Sequence, residues 1–263
     1  MNNPSPMWKA IKYILVYFGF QLALIILLMI PAYFLKVDVT TVSLYALAIA
    51  AVLASWYVIR KGEVKINKES FSIRPWTILL PCVVALFFYY LPEGWMNETL
   101  SLPNVVGEEL DEMATSLFGL LFIGVIGPVA EELVFRGAVL NSLLGWKKTE
   151  GKPWLAVLLS AVLFSLYHVN PAQIPNAFIL GLFFGWLCYR TGSLMPGIAL
   201  HVLNNSLGCI ASLFPDEPGG PETIAELFGS PRLEFYAVYL SAFLCAAVVV
   251  QAVLMVKKHY PPR

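Results

Sequence analysis

The chain has 263 residues, of which 59% are hydrophobic and only 13% charged, and its formal net charge is zero. That composition excludes a water-soluble globular domain and a disordered chain alike. No nucleic-acid partner is expected.

The first apolar run, residues 13–35, is too long for the core of a signal peptide and long enough to cross a bilayer. Further runs predict membrane helices at 42–59, 76–91, 116–144, 154–169, 174–189, 193–214 and 235–256. Eight spans make an all-α polytopic transmembrane bundle. The fifth and sixth spans are short, and their separator at 170–173 holds Pro171. A helical hairpin is the favoured reading there, with a broken or re-entrant segment as the alternative. Gly181 and Gly185 form a small-xxx-small face on the sixth span and predict close helix packing.

Basic residues test the count. With the N-terminus in the cytoplasm, the cytoplasmic segments hold Lys9, Lys12, Arg60, Lys61, Lys65, Lys68 and Arg74. They also hold Lys147, Lys148, Lys152, Arg190, Lys257, Lys258 and Arg263. The far side keeps only Lys36 and Arg232. That asymmetry satisfies the positive-inside rule and puts both termini in the cytoplasm. The outer segments are acidic, at Glu93 to Glu112 and at Asp216 to Glu234, and read as solvated faces. Asn97-Glu98-Thr99 matches a glycosylation acceptor, which matters only in a eukaryotic secretory membrane. The cysteines, Cys82, Cys188, Cys209 and Cys245, lie in apolar runs without a C-x-x-C pair and read as small buried hydrophobes.

The fourth span breaks the apolar pattern. Residues 113–130 carry no charge, and neither do residues 137–146, yet Glu131, Glu132 and Arg136 stand between them in GPVAEELVFRG. Each ionised side chain at the centre of a bilayer helix costs roughly 2.5–3.5 kcal/mol. Three together approach roughly 8–10 kcal/mol, comparable with the stability of a whole domain. Intramembrane ionisable residues of this kind mark a functional site. His168 ends the fifth span in FSLYH, and His201 and Asn205 lie in the seventh in HVLNN; the third histidine, His259, falls in the basic tail.

Helical spacing gives the facing. Glu132 and Arg136 are i,i+4 and stack on one face as an ion pair. Glu131 is rotated by about 100° from Glu132 and can point elsewhere. His201 and Asn205 are also i,i+4. The pattern divides labour between a neutralised pair for structure and one carboxylate for chemistry. Architecture alone accounts for Glu132 with Arg136, and helix–helix hydrogen bonding for Asn205. An inert polar core accounts less well for Glu131, His168 and His201 together. Ser165 and Ser206 lie near these residues, but neither sits in a G-x-S-x-G elbow.

EELVFRG, FSLYH and HVLNN, in this order and each within an apolar span, resemble the three motifs of the CAAX prenyl protease and bacteriocin-processing family of intramembrane endopeptidases. The resemblance runs from about residue 117 to 213. It implies that Glu131 activates the water that attacks a peptide carbonyl and that His168 helps hold that water. It implies oxyanion donors at His201 and Asn205, and a site-fixing role for Glu132 and Arg136. It further implies a hydrophobic or prenylated peptide, or a membrane-protein segment, as substrate. No cofactor is required on this reading; a zinc site built from Glu131, His168 and His201 is the alternative, although HExxH is absent.

The expected organisation is N-terminal helices with an acidic outer loop at 1–115, a catalytic core at 116–214, and an outer loop with a final helix at 215–263. A bacterial plasma membrane is the expected location. The rival readings are an ion- or proton-coupled transporter, weakened by the lack of internal repeats, and a non-catalytic peptide-binding scaffold.

Overall fold

A computed structural model describes residues 5–64, 66–214, 221 and 223–260. Lys65, Asp216, Glu217, Glu222 and Arg263, part of the charge pattern above, lie outside the described residues.

The described residues form ten helices and no strand. They are α1 (Pro6–Leu35), α2 (Val39–Arg60), α3 (Leu79–Leu100), α4 (Gly107–Ala114) and α5 (Leu117–Leu144). After these come α6 (Pro153–Tyr167), α7 (Ile174–Thr191), α8 (Met195–Ala211), α9 (Ile224–Leu227) and α10 (Pro231–His259). Eight of these fall at the predicted spans. Five are long and apolar enough to cross a membrane by length and composition: α1, α2, α5, α10 and the stretch Trp76–Leu100 that contains α3. α6 is apolar but shorter, and it packs against α7 as the expected hairpin.

The helices are started and stopped by recognisable chemistry. Ser5, Asp38, Ser116 and Ser230 accept hydrogen bonds from first-turn amides of α1, α2, α5 and α10, and such caps stabilise a helix by about 1 kcal/mol each. Prolines open α6, α7, α8 and α10, where a missing N–H costs nothing. One boundary differs from expectation. α3 does not stop before Pro92 but continues to Leu100, so part of the acidic outer segment is helical. Glu108 and Glu109 lie in the first turn of α4, where the helix dipole favours negative charge.

Contacts between loops sort the ends of the bundle. At one end Lys9 pairs with Glu63 at 2.6 Å, and Ser70 O accepts from Ser193 and Leu194. Arg190 donates to Tyr260 O at the same end. Thr40 meets Glu112 at the other end, and Glu98 accepts from the Ile224 amide. The segments predicted to be basic and cytoplasmic therefore gather at one end, and the acidic ones at the opposite end.

α5 is the axis of the bundle. Every residue from Leu133 to Leu140 is buried, beneath α1, α2, α6 and α7. The outer helices instead turn large apolar side chains outward, among them Leu22, Leu27 and Ile30 of α1 and Leu240, Phe243 and Leu254 of α10. Apolar surface of that extent is compatible with lipid, not with water. The α6–α7 contact is close at Gly181 and Gly185, where a side chain would crowd its neighbours. A Cβ at Gly181 would lie 3.3 Å from Ala161, and one at Gly185 would lie 3.3 Å from Val157. The predicted small-residue face thus packs as expected. Cys82, Cys188 and Cys209 are buried and Cys245 is partly so.

α5 is not a plain α-helix. It changes to π geometry at Phe122–Ile126 and again at Leu133–Leu140. Pro128 has no N–H to return to the preceding turn, and the Gly127 amide reaches back five residues to Phe122 O. The two neighbouring carbonyls find partners on α8 instead: Asn205 Nδ2 donates to Ile123 O at 3.3 Å and Ser206 Oγ to Gly124 O at 3.2 Å. π turns of this kind recur at functional sites.

Candidate active site

The site assembles where α5, α6 and α8 meet. Glu132 and Arg136, both fully buried, form the expected i,i+4 ion pair, Nη1 to Oε1 at 2.9 Å. The guanidinium is also gripped in ways that spacing did not announce. Arg136 Cζ lies 4.3 Å over the Phe164 ring and 5.7 Å from the Phe184 ring, and Nη2 donates to Gly181 O at 3.3 Å. Cation–π contacts strengthen when desolvated. The pair therefore holds α5 to α6 and α7 rather than merely neutralising one helix.

His201 sits between the two glutamates. Its Nδ1 donates to Glu132 Oε1 at 3.0 Å, and its Nε2 faces Glu131 Oε2 at 3.7 Å. A carboxylate on one imidazole nitrogen fixes what the other presents. Here Glu132 orients the ring and Nε2 is turned to Glu131. Glu131 keeps 19% of its side chain exposed whereas Glu132 keeps none, so the two adjacent carboxylates have unlike surroundings.

His168 caps α6, with Nδ1 2.9 Å from Phe164 O. That bond takes up Nδ1 and turns Nε2 away from the backbone. The Phe164 ring stands edge-on to both imidazoles, 4.9 Å from His168 and 5.8 Å from His201 between centroids. Phe164, first residue of FSLYH, thus touches Arg136 and both histidines. Asn205 shares the α8 face with His201 but spends one amide hydrogen on the backbone of α5, at Ile123 O, and accepts from Asn204 Nδ2.

Behind His168 the turn is tightly held. Val169 has φ of +55°, a strained conformation for a β-branched residue. Asn170, fully buried, accepts from the Val105 amide and donates to Asn104 Oδ1, while the Ala172 amide donates to Pro103 O. The outer segment after α3 is so strapped to the loop that carries His168.

Gly197 is a further residue that motif reading passed over. A Cβ there would lie 2.6 Å from Glu132 Oε2, an oxygen that is buried and, among the described residues, without a hydrogen-bond partner. The Glu132 side chain cannot swing aside freely, since Arg136 and His201 both hold its other oxygen. Gly197→Ala should therefore lower stability by roughly 1–3 kcal/mol, read as a lower thermal-unfolding temperature in detergent. Glycine-to-alanine in an ordinary helix stabilises by up to about 1 kcal/mol, so the sign alone decides. An unchanged or raised unfolding temperature would show that the carboxylate can give way.

Among the described residues, no three His, Cys, Asp or Glu side chains are grouped as metal ligands.

A lipid-exposed helical bundle that buries paired carboxylates, an arginine and an imidazole in its middle is an integral multi-pass membrane protein with an enclosed polar site. Residues 113–207 match the family model described as Type II CAAX prenyl endopeptidase, Rce1-like. The matched stretch takes in Glu131, Glu132, Arg136, His168, His201 and Asn205. The chain is 24% identical over 231 residues to the membrane-embedded CAAX protease MroQ of Staphylococcus aureus, covering 80% of this chain and 92% of that one. It is 29% identical over 91 residues to the putative membrane peptidase YdiL of Bacillus subtilis, covering 35% and 36% of the two chains. An uncharacterized 24.3 kDa protein of Escherichia coli is 31% identical over 97 residues, covering 35% and 42%. No solved structure matches the chain significantly.

Proposed function

We propose that the chain is a glutamate-type intramembrane endopeptidase of a bacterial plasma membrane, with its basic end in the cytoplasm. The observation that carries this is the unequal treatment of the two glutamates. Glu132 is consumed by Arg136 and His201 Nδ1. Glu131, partly exposed and only loosely faced by His201 Nε2, keeps its lone pairs for a reactant. A catalytic contact of that length is common before substrate binds.

In the proposed reaction a water lodges against Glu131, with His168 Nε2 as its second contact. Glu131 takes a proton from that water as its oxygen attacks the peptide carbonyl carbon. The second amide hydrogen of Asn205 faces the oxyanion that develops, and His201 joins it as a donor when its Nε2 is protonated. Glu131 then passes the proton to the leaving nitrogen as the carbon–nitrogen bond breaks. Donors fixed before the reaction stabilise such an oxyanion by roughly 3–4 kcal/mol each. Arg136, Glu132, Phe164 and Phe184 keep the imidazole from turning. Lipid-facing helices around the site favour hydrophobic, prenylated or membrane-embedded peptides as substrates, in line with the family's description.

The test is cleavage by the purified full chain in lipid vesicles, offered a panel of hydrophobic and prenylated peptides. At least one peptide should be cut, and cutting should persist after chelation with metal removal verified. Activity lost on chelation and restored by zinc would replace the glutamate mechanism with a metal one. A chain that transports an ion across the vesicle wall and cuts nothing would make it a transporter.

A further inference from the structure

In the proposed reaction Asn205 turns one amide hydrogen to the oxyanion, and a carboxamide does this only with the correct end forward. Rotated by half a turn, it would offer an acceptor oxygen to a developing negative charge. A row of polar groups fixes which end that is. Ile123 O can only accept, so Asn205 Nδ2 is the atom that meets it, at 3.3 Å. Asn205 Oδ1 then points the other way and calls for a donor, which Asn204 Nδ2 supplies at 3.3 Å. Asn204 Oδ1 is left as an acceptor in turn. The Tyr90 hydroxyl of α3 reaches it at 3.4 Å and lies equally close to Asn204 O.

The row runs in one direction. Tyr90 donates to Asn204, Asn204 to Asn205, and Asn205 to Ile123 O and to the oxyanion. Hydrogen bonds joined head to tail polarise one another, and low dielectric strengthens them. The last N–H therefore gains donor strength where charge will form. The contacts are long at rest, which is common for catalytic hydrogen bonds before substrate binds. Neighbouring residues on a helix point about 100° apart. Asn204 accordingly faces α3 through Tyr90, while Asn205 faces α5 through Ile123.

We propose that Asn204 is a positioning residue for Asn205, with Tyr90 acting through it: together they keep the Nδ2 end of Asn205 towards the oxyanion. The inference rests on the reading of Asn205 as an oxyanion donor. It gives a role to the first asparagine of the NN pair in HVLNN, which i,i+4 spacing from His201 passes over. It also brings α3, which lies outside the matched residues 113–207, into the reaction. A merely architectural hydrogen bond between α3 and α8 would use the same contacts but act on stability alone.

The experiment compares wild type, Tyr90→Phe, Asn204→Ala and Asn205→Ala as full chains in vesicles, using the panel peptide that wild type cuts fastest. Two double variants join Asn204→Ala to each of the others, and rates are taken per folded molecule. Asn205→Ala should lose roughly 10²–10³-fold in kcat, the scale of a missing oxyanion donor. Asn204→Ala should lose roughly tenfold to a hundredfold, the scale of a misplaced reacting group. Tyr90→Phe should lose roughly two- to tenfold, the scale of one neutral hydrogen bond. KM should hold throughout, because the oxyanion exists only in the transition state. Asn204→Ala should cost nothing further once Asn205 is alanine, nor Tyr90→Phe once Asn204 is alanine. Losses that multiply in the double variants overturn the proposal, as does a lower unfolding temperature for Asn204→Ala with wild-type kcat per folded molecule. If Asn205→Ala is slow while Asn204→Ala cuts normally, this inference fails alone. If Asn205→Ala cuts as fast as wild type, the oxyanion role has been misassigned and both fall.

Discussion

Glu131→Gln is expected to fold and insert as wild type does and to lose nearly all peptidase activity. The substitution keeps the shape of the side chain and removes its capacity to take a proton. A positioned general base contributes roughly 10²–10⁴-fold, and glutamine also loses the charge that draws the water in, so the fall should lie at the upper end of that range. Stability should hold or rise. Arg136 is matched to Glu132, so neutralising Glu131 strands no cation, and it removes an uncompensated charge from a poorly solvated place. Cleavage rate and thermal unfolding, measured on the same preparation, check both halves. A rate within a few-fold of wild type would remove Glu131 from the mechanism.

Arg136→Met is expected to act in the opposite manner, on the fold before the chemistry. Both members of the pair are almost wholly buried, so screening by solvent is negligible. Breaking such a pair from one side leaves an isolated charge and costs about 3–5 kcal/mol. The loss also empties the space between Phe164 and Phe184 of its cation and frees Gly181 O. Thermal unfolding should fall by several degrees or more, and activity should follow because Glu132, which orients His201, is no longer fixed by Arg136. Joining Glu132→Leu to Arg136→Met should recover much of the stability while activity stays lost, since the stranded charge goes but His201 is left unheld. Equal unfolding temperatures for wild type and Arg136→Met would mean that the pair contributes little to the fold.

Much of this centre was legible in the residues. Charge in the middle of an uncharged span announced Glu131, Glu132 and Arg136, and i,i+4 spacing paired the last two correctly. His201 was expected near Glu131, and it is. Spacing also let Glu131 and Glu132 part company, yet one imidazole reaches both, a closure that depends on α8 and not on α5. Phe164, Phe184 and Gly197 escaped notice for the same reason. Each looks like ordinary apolar packing in its own helix and gains meaning only from a neighbour across the bundle. The π turns were hidden too, because Pro128 says only that a bond is missing and not which helix will replace it. Helix α3 overran Pro92 because its later turns are secured by what lies beyond the apolar run, including the Glu98 contact to Ile224.

The carbonyls that α5 surrenders to α8 bear on how the chamber can open. At hydrocarbon depth no water stands ready to replace Asn205 and Ser206, and each stranded carbonyl would cost several kcal/mol. Drawing α8 away from α5 is therefore costly, and that seam behaves as a latch. On the proposed reading, a substrate arriving from the lipid would pass where helices are joined by side-chain packing alone.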